Sequence, residues 1–462
     1  MSDKQKTTKN EVSVSGVGLH TGEKVTLTFK PAPDNHGYKF QRIDLEGKPI
    51  INADVDNVVD TSRGTTLEQN GARVYTTEHA LAAVYGLGID NILIELDGKE
   101  IPIMDGSSRY FVEALLKAET VEQTEEKNYY VVTENLAFED VEKGTEMLMV
   151  PQDEFRLTVM VDYNSKILGT QHAHMYHIGE FVKEISDCRT FVFLRELEVL
   201  AKHGLIKGGD LDNAIVLVDQ ILPQEKIDEI ADLLGKPKME IKEAGVLNNL
   251  ELHFQNEPAR HKLLDMVGDL ALVGRPIKGH ILAARPGHKG NTDFAKLIKK
   301  RIKEETKKPP FYDQNQPPVF NIEEIQKMLP HRYPFLLVDK IIELSDNHVV
   351  GVKNVTMNED YFQGHFPGSP VMPGVLQIEA MAQTGGILVL NSVPDPENYL
   401  TYFMKIDNVK FKNKVVPGDT LIFKLELLSP IRRGICHMKG TTYVGDKIAT
   451  EGELMAQIVK VK

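Results

Sequence analysis

The chain has 462 residues, a net charge of -13 and two cysteines. Its 41% hydrophobic and 26% charged content are those of a soluble globular protein, and the length favours about three domains. The acidic balance, with no broad basic block, argues against nucleic acid as a partner; Cys188 and Cys436, far apart and without a CxxC pair, exclude a disulfide framework and point to a reducing compartment.

In chain order, Met1 to Asn10 is polar and lysine-rich with no apolar core, so it is not a signal peptide. No run of 18 or more apolar residues follows. The expectation is a cytoplasmic protein with at most peripheral membrane contact. Glu11 to Phe29 reads as strand stretches broken by Gly16, Gly18 and Gly22. The pattern then predicts a helix over 77–86, a short buried strand over 91–96 and an amphipathic helix over 107–118. A second round begins near Tyr129: strands at 129–132 and 155–161, a helix at 178–189, a strand at 214–218, a helix at 259–272 and a strand at 280–284. The fold class is therefore α+β, with two similar α/β halves over 1–128 and 129–300.

The clearest seam follows. Lys299 to Glu305 reads as a charged helix end, and Lys307-Lys308-Pro309-Pro310 stops it. A polar, proline-bounded linker fills 301–318. The basic helix end could dock on an acidic surface or simply be solvated. Beyond the seam, a mostly apolar helix at 375–390 is surrounded by strands at 341–344, 349–355, 401–409, 420–428, 435–444 and 447–461. Val444-Gly445-Asp446-Lys447 reads as a hairpin turn. So apolar a helix needs a sheet wrapped around it, the hot-dog architecture, over 319–462.

Two sets of chemically capable residues stand out. His261 and Asp265 are four apart on a predicted helix, so both project from one face. His79, beside Glu78, is the natural third ligand, and two histidines with one carboxylate leave a zinc position open for water. Glu78 is placed to take that water's proton. Asp269, one turn further on, is placed to hydrogen-bond a ligand. Lys262 and His288 could stabilise an oxyanion and protonate a leaving amine. Spacing alone equally fits an ordinary surface pair.

Ser15 to Gly22, Thr77-Glu78-His79, Arg189-Thr190-Phe191, Gly208-Gly209 and Arg260 to Asp269 occur in this order. Together they resemble the zinc-dependent UDP-3-O-(3-hydroxyacyl)-N-acetylglucosamine deacetylases of lipid A biosynthesis, over residues 11 to 300. The resemblance implies zinc on His79, His261 and Asp265, Glu78 as general base and His288 as general acid. It also implies Thr190 at the oxyanion, Lys262 near the nucleotide-sugar and Phe191 against the UDP moiety. A zinc amidase on another N-acyl sugar is the alternative. His172 and His174 share one strand face, but no carboxylate accompanies them, so a half-exposed strand is the simpler reading; His36 reads as a turn residue.

The second set is His365, in Gly364-His365-Phe366-Pro367-Gly368, and Glu379 on the apolar helix. A turn would hold the imidazole, and burial would favour a protonated carboxyl. Such a pair suits removal of an α-proton and departure of a β-hydroxyl as water. Gly374, at the helix start, can offer a free backbone N–H to a thioester carbonyl. A core glutamate beside a structural histidine is the bland alternative.

His331 to Asp339, Gly364 to Gly368 and Glu379 to Gln383 resemble the (3R)-hydroxyacyl-[acyl carrier protein] dehydratases, over about 321–462. The resemblance implies that His365 and Glu379 meet across a dimer interface, that three dimers form a hexamer, and that acyl carrier protein delivers the substrate. Arg332, Lys405, Lys410, Lys412 and Lys414 are candidate docking cations for that acidic carrier. The whole chain thus reads as a fusion of the two enzymes. A deacetylase carrying a non-catalytic hot-dog scaffold, or a hot-dog thioesterase, remains the alternative.

Overall fold

The computed structural model describes residues 3–461 except 164, 203–206, 211–212, 235–236, 239, 242, 248–249 and 306–307. The chain forms two compact units, Met1–Lys303 and Glu304–Lys462.

In the first unit, a five-stranded sheet has the order Val12–Val17, Lys24–Pro31, Ile92–Leu96, Tyr38–Arg42, Ile50–Asn52. A second sheet has the order Leu136–Asp140, Thr145–Val150, Ile277–Ala284, Phe155–Asp162, Thr170–Met175, with Tyr130–Val131 added beside Ile277–Ala284. The two share one topology. In each, the central strand comes last in sequence and runs parallel to one neighbour and antiparallel to the other. In each, one helix precedes that strand and one follows it: Glu78–Gly86 and Arg109–Ala118 in the first half, Glu257–Ala271 and His288–Glu305 in the second. The expected pair of similar halves is what the chain folds into. Each also carries a three-stranded insert, Val58–Asp60 with Thr66–Gln69 and Ala72–Val74, and Phe191–Phe193 with Ile215–Val218 and Gly245–Val246.

The helices Glu78–Gly86 and Glu257–Ala271 are buried along nearly their whole lengths. The polar side chains Glu78, His79, His261, Asp265 and Asp269 that they carry are therefore buried with them. The two helices pack on each other between the sheets, in a core that includes Leu81, Val84, Leu263 and Val267. Gly268 permits the approach: a Cβ there would lie 2.7 Å from the carbonyl carbon of Glu78.

One strand was not foreseen, and one expected helix is cut short. Lys4–Thr8, within the polar N-terminal stretch, is a strand paired with Thr120–Glu126, and its buried Gln5 is held by Asn35 and Asn91. The helix expected over 178–189 is only a 3-10 turn, Ile178–Glu180, and one helical turn, Phe181–Glu184. The chain leaves the helix so that the Cys188 carbonyl and Arg189 can face the Glu257–Ala271 helix.

The helix His288–Glu305 stops before Lys308-Pro309-Pro310, and residues 306–307 of the expected linker lie outside the described residues. Its basic end is tied to its own unit: Lys299 pairs with Asp54 and Asp56, and Arg301 with Glu134. Among the described residues, no helix is long and apolar enough to cross a membrane.

In the second unit, one antiparallel sheet has the order Lys340–Leu344, His348–Asn354, Thr420–Arg432, Ile435–Val444, Lys447–Lys460, Tyr399–Phe411. It curls around the Gly374–Leu390 helix, whose Ala380, Met381, Ile387, Val389 and Leu390 are buried. The hairpin pairs Val444 with Lys447, as its turn residues predict. Tyr399–Phe411 is an edge, and Tyr402, Phe403, Met404, Ile406 and Phe411 are exposed along it. A long apolar edge of this kind is a template for another strand.

Candidate active sites

In the first unit, His79 enters from the first turn of Glu78–Gly86, and His261 and Asp265 from one face of Glu257–Ala271. Their ligand atoms all lie within 4.8 Å of one another, and all three residues are buried. Asp265 Oδ1 stands 3.5 Å from His79 Nε2 and 3.3 Å from His261 Nε2. That oxygen is buried with no hydrogen-bond partner, an arrangement costly unless something occupies it. Its companion Oδ2 accepts from Lys262 Nζ at 2.8 Å. The Nδ1–H of His261 donates to the Cys188 carbonyl at 3.0 Å, which leaves the Nε2 lone pair facing the cluster. An orphaned carboxylate oxygen within 3.5 Å of two imidazole nitrogens fits a zinc-type dication.

The acid–base groups surround this cluster. Glu78 Oε2 accepts from the Thr65 backbone N–H at 2.8 Å, and Glu78 Oε1 lies 3.9 Å from His288 Nε2. His288 Nε2 is also 3.8 Å from Asp265 Oδ2. Asp269 departs from its expected place behind a metal ligand. It accepts from His288 Nδ1 at 3.0 Å, from Asn291 Nδ2 at 2.9 Å and from the Thr65 hydroxyl. One turn of helix carries Asp269 past the ligands and up to the start of His288–Glu305.

Burial raises the Glu78 carboxyl above its ordinary range, against the pull of His288 and His79. Burial opposes charge on His288, but Asp269, Glu78 and Asp265 overcome it and hold its imidazole up at about 10. Burial also opposes charge on Asp265, yet His261 and Lys262 hold it well below the usual carboxylate range. The two groups expected to move protons are thus poised in opposite senses, a basic carboxylate and a charged imidazole.

A cavity of about 360 Å³ opens over these groups, and Thr190, Phe191 and Lys262 line it. Phe191 sits edge-on to His261, with ring centroids 6.5 Å apart, and Lys262 Nζ is 5.6 Å from the Phe191 ring. Sequence reasoning missed Thr65, which holds both Glu78 and Asp269. His172 and His174 are exposed and join no metal-type cluster among the described residues. His36 is a turn residue whose ring meets the Gly37 carbonyl. Cys188 is buried, and burial pushes its thiol up, so its carbonyl is the useful atom.

In the second unit, the Nδ1–H of His365 donates to the Val371 carbonyl at 2.7 Å, leaving Nε2 free as a base. His365 lines a cavity with Gly374, Phe411, Lys412 and Lys414. Gly374 begins the central helix, so its N–H has no intrahelical acceptor. A Cβ there would meet the Phe411 ring at 2.6 Å. Glu379 lines a different cavity of about 180 Å³, with His331, Phe335, Gly386 and Cys436. It is 18% exposed rather than fully buried, and Gln383 Nε2 donates to its Oε1 at 2.9 Å. A single chain therefore does not bring His365 and Glu379 into one cavity.

The candidate docking cations divide. Arg332 donates to the carbonyls of Gln326, Leu329 and His331, and so caps the end of helix Ile322–Met328. Lys405 pairs with Asp407, and Lys410 and Lys412 with Glu451. Lys414 is exposed at the mouth of the His365 cavity, with no ion-pair partner among the described residues.

Comparison with known proteins covers both units. Residues 5–229 and 237–300 match the family described as UDP-3-O-acyl N-acetylglycosamine deacetylase, and residues 329–453 match the FabA-like domain. A bifunctional enzyme LpxC/FabZ of Bacteroides thetaiotaomicron is 55% identical over 99% of this chain and all of its own length. Its counterpart in Porphyromonas gingivalis is 50% identical over 99% of both chains. A UDP-3-O-acyl-N-acetylglucosamine deacetylase of Myxococcus xanthus is 39% identical over 64% of this chain and 85% of its own. The match runs through both units and both candidate sites, and the chain belongs to the family of bifunctional LpxC/FabZ enzymes.

Proposed function

We propose that the chain catalyses two reactions. Over 1–128 and 129–300 it hydrolyses the N-acetyl group of UDP-3-O-(3-hydroxyacyl)-N-acetylglucosamine, a committed step of lipid A biosynthesis. Over 319–462, beyond a linker that starts only after the His288–Glu305 helix and not at 301, it dehydrates (3R)-3-hydroxyacyl-[acyl carrier protein] to the trans-2-enoyl form. Both are assigned to the cytoplasm. The observation that carries the first reading is the orphaned Asp265 Oδ1 facing two imidazole Nε2 atoms.

His79, His261 and Asp265 would hold zinc. When bound, zinc polarises the amide carbonyl and makes a water acidic at neutral pH. Glu78 takes the proton of the attacking water, and its raised basicity suits that task. His288 gives a proton to the departing amine from Nε2, while Asp269 holds Nδ1 and fixes the ring. Thr190 faces the developing oxyanion, and Lys262 and Phe191 flank the nucleotide-sugar.

In the dehydratase, His365 Nε2 removes the α-proton, the Gly374 N–H receives the thioester carbonyl, and Glu379 protonates the leaving hydroxyl. Two chains build each such site, His365 from one and Glu379 from the other. The exposed edge Tyr399–Phe411 supports this, since a second copy pairing there would extend the sheet and cover its apolar side chains. Three such dimers form a hexamer. Lys414 and its neighbours receive the acidic carrier.

Separate substitutions test the assignment in the full-length protein. His79→Ala is expected to abolish acetate release and spare enoyl formation, and Glu379→Gln to do the reverse. Loss of both activities in either variant, without unfolding, would refute two independent sites.

A further inference from the structure

The Glu379 cavity holds a second imidazole. His331 Nε2 lies 3.7 Å from Glu379 Oε1, the same oxygen that accepts from Gln383. His331 Nδ1 is buried and has no hydrogen-bond partner. The tautomer that gives its proton a use therefore carries it on Nε2, directed at the carboxylate. Burial holds this imidazole below its ordinary value, against the influence of Glu379, so it is a neutral donor at pH 7.

The surroundings fix this geometry. Gln383 Nε2 also donates to the Phe335 carbonyl, and Gln383 Oε1 accepts from the Leu337 N–H. The segment 331–337 is thereby pinned to the central helix at the level of Glu379. Arg332 anchors its start through three carbonyls, and Phe335 packs beside the His331 ring at 5.9 Å. The Gln383 amide thus donates to Glu379 Oε1, and the His331 imidazole stands 3.7 Å from the same oxygen.

We propose that His331 is a positioning residue of the dehydratase, holding one oxygen of Glu379 together with Gln383 so that the other meets the leaving hydroxyl. This rests on the reading of Glu379 as the general acid.

Full-length His331→Gln, His331→Asn and His331→Phe variants test it by enoyl formation. The glutamine amide nitrogen reaches as far as His331 Nε2; the asparagine amide stops short of the carboxylate; phenylalanine keeps the ring and offers no donor. Asn and Phe are expected to lower kcat roughly tenfold or more while KM stays within about twofold, and Gln to recover most of the loss. Acetate release by the same preparations is expected to be unchanged, and an unchanged oligomeric state in light scattering and unchanged urea unfolding of the variants report that the second unit is intact. Wild-type kcat in both the Asn and Phe variants would overturn the proposal, as would a Gln variant as slow as they are. Wild-type protein and Glu379→Gln are assayed alongside. No wild-type turnover, or full turnover in Glu379→Gln, would sink the dehydratase reading itself rather than the role of His331.

Discussion

Gly268→Ala probes the packing on which the first site depends. The new Cβ would stand 2.7 Å from the carbonyl carbon and 2.9 Å from the Cα of Glu78, where ordinary contact begins at 3.4 Å. The carbonyl oxygen of Glu78 would stand closer still, so relief requires the two helices to part by more than the 3.4 − 2.7 = 0.7 Å that the carbonyl carbon alone demands. That atom is backbone, so no side-chain rotation can absorb the shift. Glu78 and His79 ride on one helix, and His261, Asp265 and Asp269 on the other, so the displacement falls on the ligand set itself. Overpacking of this kind costs about 1–3 kcal/mol of stability, and a misplacement near 1 Å at reacting groups costs about 100-fold in rate. The expected outcome is a folded protein with weakened zinc retention, acetate release down by one to two orders of magnitude, and enoyl formation unchanged. Zinc retention is read by competition with a chromogenic chelator, and both activities on the same preparation. Wild-type zinc affinity and acetate release in Gly268→Ala would refute the claim that close approach of these helices builds the site.

Three further outcomes are expected. Mixing or co-expressing His365→Ala and Glu379→Gln chains, each inactive as a dehydratase alone, restores enoyl formation, because a mixed dimer has one site with both groups intact; no recovery in demonstrated mixed dimers contradicts a shared site. Met404→Lys with Ile406→Lys on the edge strand lowers the oligomeric state in light scattering and removes enoyl formation while acetate release persists. Glu257→Gln breaks the buried pair with Arg189, whose Nε it meets at 2.9 Å, and lowers unfolding free energy by about 3–5 kcal/mol in urea at pH 7. Burial raises the Glu257 carboxyl, but Arg189 and the His253 N–H outweigh it and hold it below its ordinary value. Its contribution is therefore present at neutral pH and is lost as pH falls through that lowered value; an equal pH dependence in Glu257→Gln would show that it contributes nothing there.

The candidate metal cluster was legible because helical period places His261 and Asp265 on one face, and because Glu78-His79 stands as a distinct word. The apolar run from Val375 to Leu390 was legible as a helix needing a wrapped sheet. What the sequence concealed are partners distant in the chain or belonging to the backbone. Thr65 reaches Glu78 and Asp269 from an insert strand. The Cys188 carbonyl orients His261, and no side-chain pattern announces a backbone acceptor. The apolar spacing of Ile178, Phe181, Val182 and Ile185 is helical, yet the chain turns away after Glu184 to deliver that carbonyl. Asp269 was misassigned because helical spacing shows which face a residue occupies, not what faces it. Arg332 looked like a docking cation, and only the structure shows it spent on a helix end.

The most direct test of two independent sites on one chain is a paired assay of full-length protein with and without a strong metal chelator. One arm follows acetate release from UDP-3-O-(3-hydroxyacyl)-N-acetylglucosamine, and the other enoyl formation from a 3-hydroxyacyl carrier. Loss of acetate release alone, restored by added zinc, is the predicted result. Loss of both arms, or no enoyl formation even without chelator, would contradict the account.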